Sequence, residues 1–162
     1  MEVLPDVLQP GVKVVFCGTA AGERSAALGA YYAGRGSQFW TVLHRVGLTT
    51  RPLEPQEYQS LLKFDIGLTD LAKCVCGNDS TVKKESFDID GLRQRLDKIN
   101  PKAVAFNGKN AAKNYLCRLV RYGRQREKIG TSVIFVLPST SGAARRYWNE
   151  QYWLELADFL EK

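Results

Sequence analysis

The strongest constraint on this chain is a short apolar run, Val12-Lys13-Val14-Val15-Phe16-Cys17, that breaks off at Gly18. A run so rich in β-branched and aromatic residues reads as a central strand covered on both faces. Covering both faces requires helices on each side, so the run points to a three-layer α/β/α sandwich.

Later segments repeat the pattern. Ile66-Gly67-Leu68-Thr69-Asp70-Leu71 reads as a second strand running into a loop, Lys102-Ala103-Val104-Ala105-Phe106 as a third, and Thr131-Ser132-Val133-Ile134-Phe135-Val136-Leu137 as a fourth. Between them, Phe39, Trp40, Val42, Leu43 and Val46 recur at helical spacing, with Gly47 as a C-cap. Further helices are predicted over 88–99, over 109–120 and over 147–160, and 55–63 is amphipathic. Strands alternating with helices give a mostly parallel central sheet of about four to five strands. With 162 residues and neither repeat nor Gly/Ser linker, residues 1–162 are expected to form one domain. The basic stretch 118–128 reads as a solvated loop.

A net charge of +6 favours polyanionic partners, because each phosphate neutralised by Lys or Arg releases counterions. No apolar run approaches the roughly 20 residues that cross a bilayer, and the first residues lack the layout of a signal peptide. A cytoplasmic protein is expected, nucleoid-associated if bacterial, with no membrane partner. Cys17, Cys74, Cys76 and Cys117 are expected to be reduced thiols, since the one-residue gap between Cys74 and Cys76 is too short for common zinc or redox motifs. No metal site is expected, and the single His44 cannot build one alone.

In an open sheet of this kind the ligand lies beyond the carboxyl ends of the strands. Segments 18–25, 69–74, 107–109 and 138–145 should therefore converge on one cleft. Gly18-Thr19-Ala20-Ala21-Gly22 is a small-residue loop whose amides can approach a ligand closely, or an ordinary tight turn. It has neither the Walker nor the dinucleotide spacing. In Gly29-Ala30-Tyr31-Tyr32-Ala33-Gly34-Arg35-Gly36-Ser37-Gln38-Phe39-Trp40 the aromatics suit stacking on a flat ring, or else Tyr31 and Tyr32 plug the core. Leu137-Pro138-Ser139-Thr140-Ser141-Gly142-Ala143-Ala144-Arg145-Arg146 offers hydroxyls, small residues and cations, fitting phosphate contact within a groove or a polar cap on the last helix.

Taken in order, Gly18-Thr19-Ala20-Ala21-Gly22, Gly36-Ser37-Gln38-Phe39-Trp40, Gly67-Leu68-Thr69-Asp70-Leu71, Phe106-Asn107-Gly108-Lys109 and Leu137-Pro138-Ser139-Thr140-Ser141-Gly142 resemble the mismatch-specific uracil-DNA glycosylase and thymine-DNA glycosylase family of the uracil-DNA glycosylase superfamily. The resemblance spans Val12 to the C-terminus. It implies a monomeric enzyme without cofactor that flips uracil or a mispaired pyrimidine out of DNA and hydrolyses its N-glycosidic bond. It places Tyr32 on the flipped base, and the first loop, with Ala20 and Ala21, around the pocket. Asn107 or the loop amides would read the base edge, with Ser139 lining the pocket. Thr140, Ser141, Gly142, Ala143, Ala144 and Arg145 would lie against DNA.

Members of that family carry Asn in the middle of the first loop, positioning the attacking water, where this chain has Ala20. Alanine cannot hold water, so another polar group must serve or activity is lost. Cleavage develops positive charge on the sugar, and a carboxylate can both stabilise that charge and orient water. Asp70 is the first candidate and Glu23 the second, with Thr69 orienting its neighbour or the water. Both acids also have structural readings, Asp70 as a helix cap and Glu23 as a dipole-stabilising residue. Weak plugging by Gly142, Ala143 and Ala144 implies tolerance of single-stranded as well as double-stranded DNA. The rival reading is a catalytically silent module that binds DNA or abasic sites through the same cleft.

Overall fold

The computed structural model describes all residues 1–162. Strands β1 (Val14–Gly18), β2 (Ile66–Asp70), β3 (Ala103–Asn107), β4 (Gly123–Ile129) and β5 (Ser132–Leu137) form one sheet in the order β2-β1-β3-β5-β4. Every neighbouring pair is parallel except β4 with β5. Alternation along β1 feeds two cores, because successive side chains of a strand point to opposite faces. Val14 and Phe16 join Phe39, Leu43, Phe135 and Trp153 on one face, beside α2 (Phe39–Arg45) and α5 (Glu150–Glu161). Val15 and Cys17 join Leu92, Leu96, Val104, Ala111 and Ile134 on the other, beside α3 (Ile89–Ile99) and α4 (Lys109–Leu116). The short α1 (Glu23–Leu28) follows β1, completing the helical layers expected from the sequence.

Local chemistry sets the boundaries. The Asp88 carboxylate accepts from the Gly91 amide at 3.0 Å, capping α3, and Asn149 caps α5 in the same way. The predicted helix over 109–120 stops at Leu116, where Cys117 takes a left-handed φ of 57°. The predicted last helix over 147–160 is α5, starting three residues later, with a 3-10 turn, Gly142–Tyr147, just before it. Residues Pro55–Phe64 form a 3-10 helix with a Glu54–Glu57 capping box.

The reading of 118–128 as a solvated loop is corrected by β4. Arg124, Arg126 and Lys128 are exposed and alternate with half-buried Gln125 and Glu127, and Arg118 holds Glu127 through two 2.7 Å bonds. Charges on an edge strand keep its open side from pairing with other chains. At the opposite edge Val7 exchanges backbone bonds with Leu68 at 2.9 and 2.8 Å, so the N-terminal segment covers β2. All four cysteines are free, Cys17 buried and the others exposed, and no helix is long and apolar enough to cross a membrane.

Candidate functional site

The carboxyl ends of the parallel strands open into a cleft of about 850 Å³. All four expected segments reach it, contributing Gly18, Thr19, Ala20 and Glu23 from the first loop, Asp70 from β2, Asn107 from β3, and Ser139 to Ala144 after β5. A side recess of about 50 Å³ lies between Ala20, Ala21, Tyr31, Tyr32 and Asp70.

Asp70 is 7% exposed and stands opposite Gly18 in the β1–β2 register. A β-carbon at Gly18 would lie 2.8 Å from Asp70 Oδ1 and 3.4 Å from the Tyr32 hydroxyl, so only glycine leaves room for both groups. Burial pushes the Asp70 carboxyl up to about 7; Lys73 pulls it down, the Asp6 charge raises it, and the Gly18 amide lowers it. At neutral pH it exchanges readily between carboxylate and acid, which suits proton transfer.

Thr69 does not share this orientation. As the preceding strand residue it faces away from the cleft, and its hydroxyl donates to Asp6 Oδ1 at 2.7 Å. The expectation that it orients Asp70 or a water is corrected. Thr69 belongs instead to a buried cluster in which Asp6 also meets Lys73 Nζ and Arg95 Nε at 2.8 Å each. Lys73 donates in turn to the Tyr31 hydroxyl at 3.0 Å. This cluster sits behind Asp70 and fixes the N-terminal segment to the floor of the site. Glu23, the first residue of α1, lies exposed on the cleft wall.

The two tyrosines divide the roles left open by the sequence. Tyr31 is 3% exposed and stacks on Tyr58 in the core, whereas Tyr32 lines the cleft. Tyr32 has a left-handed φ of 54° and rests on Phe39, centroids 4.0 Å apart and 23° from coplanar. Burial and the nearby Asp70 charge raise the Tyr32 hydroxyl well above its ordinary range, opposed by a hydrogen bond with Asn107. The Asn107 amide is also doubly committed to Thr140, donating to its Oγ1 at 2.9 Å and accepting from its backbone N–H at 3.0 Å. Thr140 is 1% exposed, so its expected place among DNA contacts is corrected to an internal brace. Ala21 is likewise buried, and its carbonyl accepts from Gly77 N–H at 2.9 Å.

The loop after β5 is fixed by close approach. A β-carbon on Gly142 would lie 3.0 Å from the Arg35 carbonyl and 3.3 Å from Gly36 Cα. Gln38 N–H donates to Thr140 O at 2.8 Å, and Arg145 donates to Gly36 O at 3.1 Å. The small size of Gly142 thus serves close packing on 35–36, while it lines the cleft together with Ala143 and Ala144. Ser139 Oγ accepts from Ser141 N–H at 3.1 Å, and Ser141 Oγ from Ala143 N–H at 3.2 Å, so each hydroxyl keeps its hydrogen for a ligand. The sequence reading missed the wall formed by Gly77, Asn78, Asp79 and Ser80. That loop docks through an Ala21–Cys76 bridge and a 2.7 Å bond from Thr19 to Asp79. It also missed Arg35, Tyr122 and Tyr147 at the cleft, which Lys109 reaches as expected.

A mostly parallel open sheet, a cleft across its carboxyl edge, a tyrosine backed by a second ring and a desolvated carboxyl beside it define an α/β protein with its candidate ligand site at the strand ends. The chain belongs to the uracil DNA glycosylase superfamily, whose family model matches residues 5–160. It is similar to the solution NMR structure of a "putative Uracil DNA glycosylase" from Methanosarcina acetivorans, with a TM-score of 0.70 and 25% identity over 98% of this chain and 97% of that one.

Proposed function

We propose that this protein is a monofunctional DNA glycosylase that draws uracil, or a related deaminated or mispaired base, out of DNA and hydrolyses its N-glycosidic bond. The carrying observation is the Asp70 carboxyl, buried at the cleft beside the Tyr32 hydroxyl with only Gly18 between them. An extruded base stacks on the Tyr32 face opposite Phe39, a contact worth about 1–3 kcal/mol. As the bond to the base lengthens, positive charge grows on the sugar, and the Asp70 carboxylate stabilises it. The same carboxylate orients water and takes its proton.

The side recess supports this assignment. At about 50 Å³ it exceeds what a water molecule needs, and Asp70 shares its wall with Ala20, where the family resemblance expects an asparagine. The carboxylate thereby replaces the amide as the group that handles water. Backbone amides of the first loop and the Asn107 face read the base edge, and Ser139, Ser141 and Arg145 meet the backbone. Glu23 is the reserve acid at the cleft wall. The order of the loop motifs favours the mismatch-specific branch, and the protein works as a monomer without cofactor.

The test is incubation with uracil-containing oligonucleotides, single- and double-stranded, followed by alkali to reveal abasic sites. Strand scission at uracil is expected. Failure to cleave any deaminated base, with DNA still bound, would establish the silent-module reading, which the missing amide at Ala20 favours.

A further inference from the structure

The cleft extends well past the Asp70 pocket, and its far end has a character that base excision does not require. Tyr122, immediately before β4, and Tyr147, at the end of the 3-10 turn after β5, both line it. Tyr147 is 55% exposed, unusual for so large a ring. Each ring carries a cation: Lys109 Nζ stands 4.4 Å from the Tyr122 centroid, and the Arg146 guanidinium 4.9 Å from that of Tyr147. Arg146 also donates to the Tyr147 hydroxyl at 2.8 Å. Tyr122 is buttressed from behind by Tyr152, centroids 5.3 Å apart.

Position decides what this cluster can touch. Asp70 ends β2 and Tyr122 precedes β4, at opposite edges of the sheet order. Four strand spacings of about 4.8 Å separate them by roughly 19 Å. A stacked strand rises only about 3.4 Å per nucleotide. Tyr32 reaches Gly18 of β1 and Asn107 of β3, so Tyr122 lies two to three strand spacings beyond it, roughly 10–14 Å or about three to four nucleotides. An exposed ring at Tyr147 and a half-buried one at Tyr122, each beside a cation, match the chemistry of sequence-tolerant single-strand binding, where bases stack on aromatics and phosphates meet Lys and Arg.

We propose that Tyr122 and Tyr147, with Lys109 and Arg146, form a stacking subsite for unpaired nucleotides flanking the excised one, which gives the protein a preference for single-stranded DNA. The proposal rests on the glycosylase reading for its placement, but not for its test. In a duplex these flanking bases are already stacked on their neighbours and unavailable to the rings.

The experiment is fluorescence anisotropy with an undamaged, labelled oligothymidine single strand and its duplex, using the full chain and its Tyr147→Ala, Tyr147→Phe and Tyr122→Ala variants. Each alanine variant should bind the single strand about five- to a hundredfold more weakly, with the duplex little changed. Tyr147→Phe should stay close to the unaltered protein. Alanine variants that bind like the unaltered protein, or equal losses on duplex and single strand, would overturn the subsite, as would absence of single-strand binding by the unaltered protein. Because the probe holds no lesion, uracil cleavage with unaltered single-strand binding in the variants removes the subsite alone. Tyrosine-dependent binding without cleavage removes the glycosylase reading alone.

Discussion

Replacing Asp70 by Asn should stop turnover and at the same time stabilise the protein, increasingly so as pH rises. The ordinary Asp value is 3.8 and the buried carboxyl stands at about 7. The folded state thus holds this proton roughly a thousandfold more tightly than the unfolded chain, equivalent to about 4 kcal/mol. The sign follows from proton linkage. Between those two values the folded state binds more protons, so stability conferred by the neutral carboxyl is present at low pH and lost as pH climbs through about 7. Roughly two thirds of the 4 kcal/mol is lost between about pH 5 and 8.5. An amide is nearly isosteric and does not titrate, so Asp70→Asn escapes this loss. Denaturant unfolding of both proteins across that range should show the variant gaining about 2–3 kcal/mol relative to the parent. In parallel, uracil release by the parent should rise with an acid limb near 7, since the ionised form is active, while the variant stays inactive. A stability difference that does not change with pH would show that the carboxyl is solvated, and near-parental cleavage by the variant would remove Asp70 from the chemistry and leave Glu23 as the acid to examine.

Gly18→Ala drives a methyl to 2.8 Å from Asp70 Oδ1, so cleavage should fall tenfold or more while circular dichroism keeps the native signature. Tyr32→Ala should lower kcat/KM by about five- to a hundredfold through lost stacking, whereas Tyr32→Phe, which keeps the ring, should stay within severalfold of the parent. Thr69→Val should leave cleavage nearly unchanged but cost about 1–3 kcal/mol in thermal or denaturant unfolding, because Asp6 loses a buried donor; a collapse of turnover with stability intact would restore Thr69 to the catalytic apparatus.

The buried strands were readable because they are covered on both faces and so consist almost wholly of apolar residues, as in Val14–Gly18 and Ser132–Leu137. Strand β4 escaped notice for the opposite reason: an exposed edge strand carries Arg124, Arg126 and Lys128 to discourage pairing, and those charges read as loop. The strand-end rule brought Asp70 to the cleft. Its companion Thr69 was misjudged because adjacent residues of a strand point to opposite sides, a constraint already present in the period of two. Tyr31 and Tyr32 could not be told apart from sequence, since the left-handed φ at Tyr32 that separates their directions is set by packing. Nothing local marks Asp79, Tyr122 or Tyr147 as cleft residues. Asp79 arrives by docking of its loop on the first, and the tyrosines by the hairpin and turn that end at the same edge.

The close approach of the Gly36 and Gly142 backbones joins two sides of the cleft without intervening side chains, so the aperture is braced by main chain. If the protein excises bases as proposed, deformation falls to the nucleic acid, and lesions in frayed ends, bubbles or transiently breathing pairs would be the ones it meets first, with local melting of the helix weighing on selectivity beside the shape of the base.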